Sequence, residues 1–430
     1  MIFFRTLKAT CLLLSTLTAV AGQDTQITLS AKKGSKYLVA LSFVARPRLD
    51  PQWAQEHFET VIQSDLRQSG IFEEAVAPMA KPSQAKEAPV QPVPGPELLL
   101  KVSLEKNPRG SYICLVDVLD ARINQGIYAK SYTGEETVLR RMAHRVVDDL
   151  VGRITGTRGI AESRILFAKD MGKGIKELFQ VDRDGHSPRQ LTRIGSLTIT
   201  PSMAPDGRLA FLTYKGGGPE LWGQQKPDGN FVRLYPFKSS PGGTISTPVW
   251  SPDGKRLAFV EGDRRGNTNI KVLDIGTHRV RQLTDKSRIN TEPCWNPSGT
   301  QIVFTSDRDG SPQLFLMEDD GSNVRKLTQE GSYNASPAWS PDGSMIAYVS
   351  RFDSGFDLFV FKLLEGKAYQ LTHGPGSSES PAWSPDGRFI VYTNNASGSS
   401  CLYSTDLSGN ASVQISELSP TQSPEWTRSR

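Results

Sequence analysis

The chain has 430 residues, 37% hydrophobic and 22% charged, with a formal net charge of +5 that falls to +3 once Arg5 and Lys8 are set aside. That length allows about two to four domains. The balance is too weak to point to nucleic acid, since no basic block is interleaved with aromatics. Beyond Cys11, the cysteines are Cys114, Cys294 and Cys401, an odd and irregularly spaced set that makes neither a disulfide framework nor a zinc pattern. Cys114 reads as a buried thiol, and a Cys294–Cys401 pair stays open.

In chain order, Arg5 and Lys8 precede an uncharged stretch centred on Cys11-Leu12-Leu13-Leu14 that closes with Ala19-Val20-Ala21. A basic start, an apolar middle and small residues before the cut make an export signal, residues 1–21, cleaved after Ala21. The apolar run falls short of the roughly 20 residues that span a bilayer, and no other run is long enough, so no membrane span is expected. The next segment, QDTQITLS (23–30), alternates Ile27 and Leu29 with polar residues such as Gln23. Two readings stand: a strand that adds to a partner's sheet edge, or the first strand of the following domain.

Residues 22–154 read as a small mixed α/β domain. KYLVALSFVA (36–45) is a buried strand, and Asp50-Pro51 caps a helix running to about Gln68, where Gly70 stops it. IFEEAV follows as a short strand. Residues 78–97 form a proline-rich insertion with six prolines and few apolar side chains, suited to an extended loop. Strands resume at 98–105, 112–120 and 126–134. A helix is expected from about Glu135 to Ile154, with Val138, Leu139, Met142, Val146 and Leu150 along one side. Residues 155–163 link this domain to the C-terminal part of the chain.

From 164 to 430 the chain repeats. The octapeptide SPAWSPDG stands at 336–343 and again at 380–387. Trp250, Trp295, Trp339, Trp383 and Trp426 recur at intervals of 43 to 45, with Met203 in the same slot 47 residues before Trp250. A Leu-Thr-like landmark keeps step, and a period of about 44 is one four-stranded propeller blade. Each unit reads as a strand ending at the Trp, a Ser-Pro-Asp-Gly turn, two apolar strands and a short fourth strand. The strand around Trp426 is one too many for the last unit, and the first unit lacks an inner strand. The C-terminal strand therefore completes the first blade and removes the free edges. The expected architecture is a two-domain chain: the α/β domain, then an all-β six-bladed propeller closed by a C-terminal strand. Each Trp is expected to pack between blades.

The order of these parts and the repeated WSPDG…LT units resemble the TolB family, periplasmic components of the Tol–Pal system. NTEPCWNPSGTQIVFTSDRDGSPQLF (290–315) carries most of the likeness, which covers nearly the whole chain after the signal. The proline-rich insertion departs from the pattern. The resemblance implies a periplasmic, non-enzymatic adaptor. Its propeller would bind the peptidoglycan-associated lipoprotein Pal and its N-terminal segment the inner-membrane protein TolA, supporting outer-membrane integrity and constriction at division. A monomer without cofactor is expected.

Enzyme readings find little support. There is no G-x-S-x-G elbow, and the histidines at 57, 144, 186, 278 and 373 lie in unrelated contexts, so none is expected to be a ligand or catalyst. The DRDG turns at 182–185 and 307–310 lack the remaining ligands of a calcium loop. The alternative is an exported propeller that binds, or hydrolyses, a small ligand or glycan in its channel. A cluster of channel carboxylates would favour that, and a neutral polar rim would favour protein binding.

Topology places the candidate face. The linker enters the first blade, and the C-terminus leaves it, beside the Ser-Pro-Asp-Gly turns. The α/β domain must sit there, and the opposite face stays free. Its loops are rich in Ser, Thr, Asn and Gly and lead into the inner strands. Thr247, Thr291, Glu292, Asn334, Ala335, Ser336, Glu379 and Ser380 are the expected partner-binding residues. The resemblance singles out Thr291 and Glu292 through the Asn-Thr-Glu-Pro loop.

Overall fold

The computed structural model describes residues 36–427 apart from 47–48, 76–94, 237–242, 286–287, 353–354, 410–411 and 417–420. The Ala21 cleavage site, the segment carrying Gln23, Ile27 and Leu29, and most of the proline-rich insertion lie outside the described residues.

The first part is a five-stranded sheet with helices on one face. Strands β1 (Tyr37–Ala45), β2 (Phe72–Glu74), β3 (Leu98–Lys106), β4 (Tyr112–Asp120) and β5 (Gln125–Gly134) are ordered β2-β1-β3-β4-β5. The parallel pairs β1–β2 and β1–β3 need crossovers, and the first is the helix α1, which runs as Pro51–Ala54, a π turn Gln55–Glu59, and Thr60–Gln68. Asp50 caps it by accepting from the Gln52 and Trp53 amides at 2.8 and 3.1 Å, with Pro51 in the first turn. Leu98, Leu100, Val102 and Leu104 alternate into the core, as do Tyr112, Cys114, Val116 and Val118. The second helix, α2 (Leu139–Thr155), begins after a 3-10 turn Glu136–Val138, slightly later than the sequence suggests, and ends at Gly156 in the left-handed region.

Six four-stranded antiparallel sheets follow, blades 1 to 6 in chain order. Thr421–Thr427 pairs with Arg164–Gly172, setting Trp426 opposite Ile165. The last strand of the chain is thus the inner strand of blade 1, as the strand count requires. The other inner strands are Thr198–Met203, Ile245–Trp250, Asn290–Trp295, Asn334–Trp339 and Ser378–Trp383. Their tryptophans fill the wedges between blades. Trp250 packs with Ala204, Ala210 and Leu212 of blade 2, Trp295 with Ala258 and Ile270 of blade 3, and Trp426 with Val391 and Leu402 of blade 6. The indole N–H of Trp383 donates to the Ala338 carbonyl of the previous inner strand at 2.9 Å. Cys294 and Cys401 lie on different blades, and all three described cysteines are unpaired.

The α/β part packs on the Ser-Pro-Asp-Gly face. The last turn of α1 leaves carbonyls without helical partners, and arginines of the ring supply them. Arg183, in the turn after the third strand of blade 1, donates to Gln68 O at 2.6 Å; Arg388, beside a Ser-Pro-Asp-Gly turn of blade 6, donates to Ser69 O at 2.7 Å. Positive charge at a helix C-terminus also favours the helix dipole. Gly70, φ 72°, lies against the Phe389 ring, and a Cβ there would come within 3.2 Å of it. Asp148 of α2 accepts from the amides of Ala161 and Glu162 at 2.6 and 3.0 Å, fixing the link into blade 1.

Truncation after Ser416 tests the closure. It removes the inner strand of blade 1 and uncovers the edge of Arg164–Gly172. The truncated chain is expected to unfold at a much lower temperature, or to aggregate through the new edge. A melting temperature within a few degrees of the full chain would show that the ring does not depend on that strand.

Candidate functional site

Every inner strand carries Pro two residues after its first ladder positions: Pro201, Pro248, Pro293, Pro337, Pro381 and Pro424. Proline cannot donate to a ladder and is tolerated inside a sheet at bulges. Each inner strand does bulge there. Thr291 pairs with Thr305 and Cys294 with Val303, so three steps on one strand oppose two on the other, and the other five inner strands shift register at the same point. The residue before each Pro takes positive φ: Thr200 (48°), Thr247 (50°), Glu292 (53°), Ser336 (52°), Ser380 (54°) and Ser423 (50°). Non-glycine residues seldom adopt this conformation, and six of them in one ring mark a repeated device. They stand near the entry of the inner strands, on the face away from the α/β part.

The expected partner-binding residues fall on this ring at different depths. Thr247, Thr291, Glu292, Ser336 and Ser380 are half-buried, and Glu379 is exposed. Asn334 and Ala335, expected at the surface, are buried. Asn334 is a support: its amide donates to Gln313 Oε1 at 2.8 Å and Glu330 O at 2.7 Å. Asn290 has the same place in blade 4, fully buried, accepting from Ser306 Oγ at 3.0 Å and Arg308 Nη2 at 2.8 Å. Glu292 is already engaged within the ring. It accepts from Thr305 Oγ1 at 2.8 Å and, across the seam to blade 5, from the Ser336 amide at 2.7 Å and Ser336 Oγ at 3.0 Å. Its carboxylate joins two of the positive-φ residues.

Farther along the inner strands, other side chains make similar links. Ser202 Oγ accepts from the Trp250 amide at 3.2 Å and Cys294 Sγ from the Trp339 amide at 3.4 Å. Glu425 accepts from the Met203 amide with both oxygens, at 3.0 and 2.8 Å. Burial pushes the Glu425 carboxyl up to about 8, against that hydrogen bond, and pushes the Cys294 thiol up to about 11. A thiol so protonated is a poor nucleophile. The inner-strand carboxylates Glu292, Glu379 and Glu425 belong to three different blades.

A second group lies at the seam, where sequence reading expected only an unremarkable His144. His144 Nδ1 is 2.6 Å from Asp65 Oδ2 of α1, and its Nε2 is 3.6 Å from Asp184 Oδ2 of the ring. All three are buried side chains, and Arg140 pairs with Asp184. Burial opposes charge on the imidazole, but the Asp65 hydrogen bond and the fields of Asp65 and Asp184 outweigh it and raise its pKa, with Arg140 opposing. Asp65, His144 and Asp184 are also the one group among the described residues whose atoms lie close enough together to hold a metal ion. The cluster carries its own counter-charge in Arg140, and Asp65 and Asp184 approach opposite ring nitrogens. Its geometry is that of an ionic clasp between the two parts.

A family model described as a TolB beta propeller domain matches residues 151–430. A TolB homolog of Chlorobium chlorochromatii is 33% identical over 195 residues, 44% of this chain and 42% of that protein. The Tol-Pal system protein TolB of Anaeromyxobacter dehalogenans is 31% identical over 245 residues, 55% of this chain and 54% of that protein. The chain thus spans about half the length of the curated relatives it matches. The crystal structure of TolB from Acinetobacter baumannii superposes with a TM-score of 0.76 at 24% identity, covering 91% of this chain and 97% of that one.

Two outcomes test the site. Glu292→Ala removes a charged acceptor from two cross-seam bonds and should cost about 1–3 kcal/mol in denaturant unfolding; Ser336→Ala keeps the amide donor and should cost less. No change in Glu292→Ala would mean that the cross-seam bonds are not made in solution. The second is pH dependence. His144 and Glu425 both have folded pKa values above their ordinary 6.5 and 4.5, so these two groups hold their protons more tightly in the folded chain than in the unfolded one. Their stabilising share is complete below those ordinary values and is lost as pH rises through the folded ones. His144→Gln and Glu425→Gln should each flatten the fall in melting temperature toward alkaline pH. Slopes as steep as that of the unaltered chain would contradict the assignment.

Proposed function

The chain belongs to the TolB β-propeller family, and on that premise we propose that it is a non-catalytic periplasmic adaptor of a Tol–Pal system. In this reading the propeller binds a Pal-like lipoprotein and the N-terminal segment engages a TolA-like partner, in support of outer-membrane integrity and constriction at division. The observation that carries it is the ring of six bulged inner strands, five of which present Thr or Ser at the positive-φ position, on the face that the α/β part leaves uncovered. Rigid loops on such a ring suit a protein partner. The three inner-strand carboxylates stand on three different blades, and two of them, Glu292 and Glu425, accept hydrogen bonds within the ring. Thr247, Thr291, Ser336, Glu379 and Ser380 are the proposed contact residues, with Glu292 shaping the rim and Asn334 and Ala335 beneath it. Residues 23–30, with Gln23, Ile27 and Leu29, form the proposed second contact, and no helix of the described residues is long and apolar enough to cross a membrane.

Ser380→Arg and Thr247→Arg place bulk and charge on the rim without touching the core. Each should weaken binding of a soluble Pal domain at least about tenfold, about 1.4 kcal/mol, while leaving the melting temperature unchanged. Deleting residues 22–30 should abolish TolA-domain binding and leave Pal binding in place. Unaltered Pal affinity in both rim variants would remove this face from the interface.

A further inference from the structure

Five inner strands carry Trp at their last or next-to-last position, and one ends in Met203. The difference leaves a hole. Arg208 immediately precedes the second strand of blade 2 and Arg256 opens that of blade 3, in Arg208-Leu209-Ala210-Phe211 and Arg256-Leu257-Ala258-Phe259. Each guanidinium stacks on the Trp of the next blade, Arg208 at 4.5 Å from the Trp250 ring and Arg256 at 4.6 Å from Trp295. Arg164 holds the same place in blade 1, in Arg164-Ile165-Leu166-Phe167, but the next blade offers it Met203 in place of an indole. Its guanidinium turns instead to Asp182, at 3.3 Å, and to the Gln180 amide oxygen, at 2.8 Å from Nη1 once that amide is oriented to accept.

A cavity of about 590 Å³ opens in this wedge, in the size range of small-ligand sites. Met203, Leu209, Phe231 and Leu191 give it apolar surface, and Arg164, Gln180 and Gln224 give it a polar wall. Its mouth carries Arg189 of blade 1 and Arg141 of α2, both exposed. Neither guanidinium has a hydrogen-bond or ion-pair partner among the described residues. One acidic residue, Asp228, lines the cavity against three arginines.

We propose that this wedge is a docking pocket for an aromatic side chain carried on an acidic segment of a partner polypeptide. The aromatic ring would take the place the repeat gives to tryptophan elsewhere, under the Arg164 guanidinium, where stacking of cation on ring is favourable. Flanking carboxylates would meet Arg141 and Arg189, whose planar donors suit them. The occupant comes from outside the chain. Beyond residue 21, the segments outside the described residues contain a single aromatic, Phe237, which follows the opposite end of the strand that contributes Phe231. Those segments carry nine basic residues against four acidic ones, and Phe237 is followed by Lys238 rather than by a carboxylate, an unfavourable charge for this mouth. The pocket lies on the Ser-Pro-Asp-Gly face, apart from the neutral rim, and does not depend on what binds there.

The test uses the mature full chain and a blocked Glu-Trp-Glu peptide, with Glu-Ala-Glu and Lys-Trp-Lys as controls, read by ligand-observed NMR titration. Glu-Trp-Glu should bind at least tenfold more tightly than either control. Met203→Trp, which fills the wedge from within, should weaken that binding at least tenfold without lowering the melting temperature. Arg189→Glu, at an exposed position, should weaken it similarly, and Ser380→Arg on the far face should leave it unchanged. Failure of the unaltered chain to prefer Glu-Trp-Glu overturns the proposal, and so does equal binding by Met203→Trp. Were that variant not to fold, unchanged binding by Arg189→Glu would overturn it alone. Loss of binding in Ser380→Arg would instead place the peptide on the rim and overturn it too.

Discussion

The antiparallel pairing of Thr421–Thr427 with Arg164–Gly172 is the contact on which the rest of this structure rests. A blade buries its faces only against its neighbours, so a row of six has two unsatisfied ends and a ring has none. The closing strand does more than complete a ladder. Trp426 packs into blade 6 and donates its indole N–H to Ser163 Oγ at 2.8 Å, at the point where the chain enters the ring. Glu425 reaches the Met203 amide of blade 2. Seven residues thereby fasten blade 1 to both neighbours and to the link from the α/β part.

Closure also decides which face is free. The chain enters and leaves the ring beside the Ser-Pro-Asp-Gly turns, and the α/β part is held there by polar contacts: the ring arginines on the end of α1, the His144 clasp, and Glu162 paired with Arg145 and Arg158 at 2.8 and 2.6 Å. Such a seam is strongly oriented but sensitive to charge, because each buried partner depends on another. The opposite face is left to the bulged starts of the inner strands, whose backbone is set by Pro and positive φ rather than by side-chain packing. Where a rim side chain makes no cross-seam bond, as Glu292 does to Ser336, it can vary without disturbing the blades beneath.

Much of the fold was legible because it is periodic. Tryptophans and Leu-Thr landmarks kept in phase over six units reveal the blade, and the displacement of the inner strands by one unit reveals the closure. The bulges were legible too, since Pro stands inside every inner strand, but the reading stopped at the Trp two residues on. What periodicity could not show is contact between distant residues. His144 and Asp65 are 79 positions apart in sequence, and neither lies in a motif. Glu292 read only as a partner-binding residue, because the Ser336 that its carboxylate holds is on the next blade. Asn334 looked like a surface loop residue, because in one dimension a buried support and an exposed contact are spelled alike. Met203 was recognised as the one exception to the Trp series, yet the cavity it leaves is visible only when blades 1 and 2 are side by side.

On the proposed reading the free face of the closed ring, and not its Ser-Pro-Asp-Gly face, receives a Pal-like partner. Amide hydrogen exchange of the mature chain with and without a soluble Pal domain tests it most directly. The expected result is slower exchange at the inner-strand starts near Thr247, Thr291, Ala335 and Ser380, with none at the turns around Asp253, Asp342 and Asp386. Protection confined to those turns, with the inner-strand starts unchanged, would contradict it.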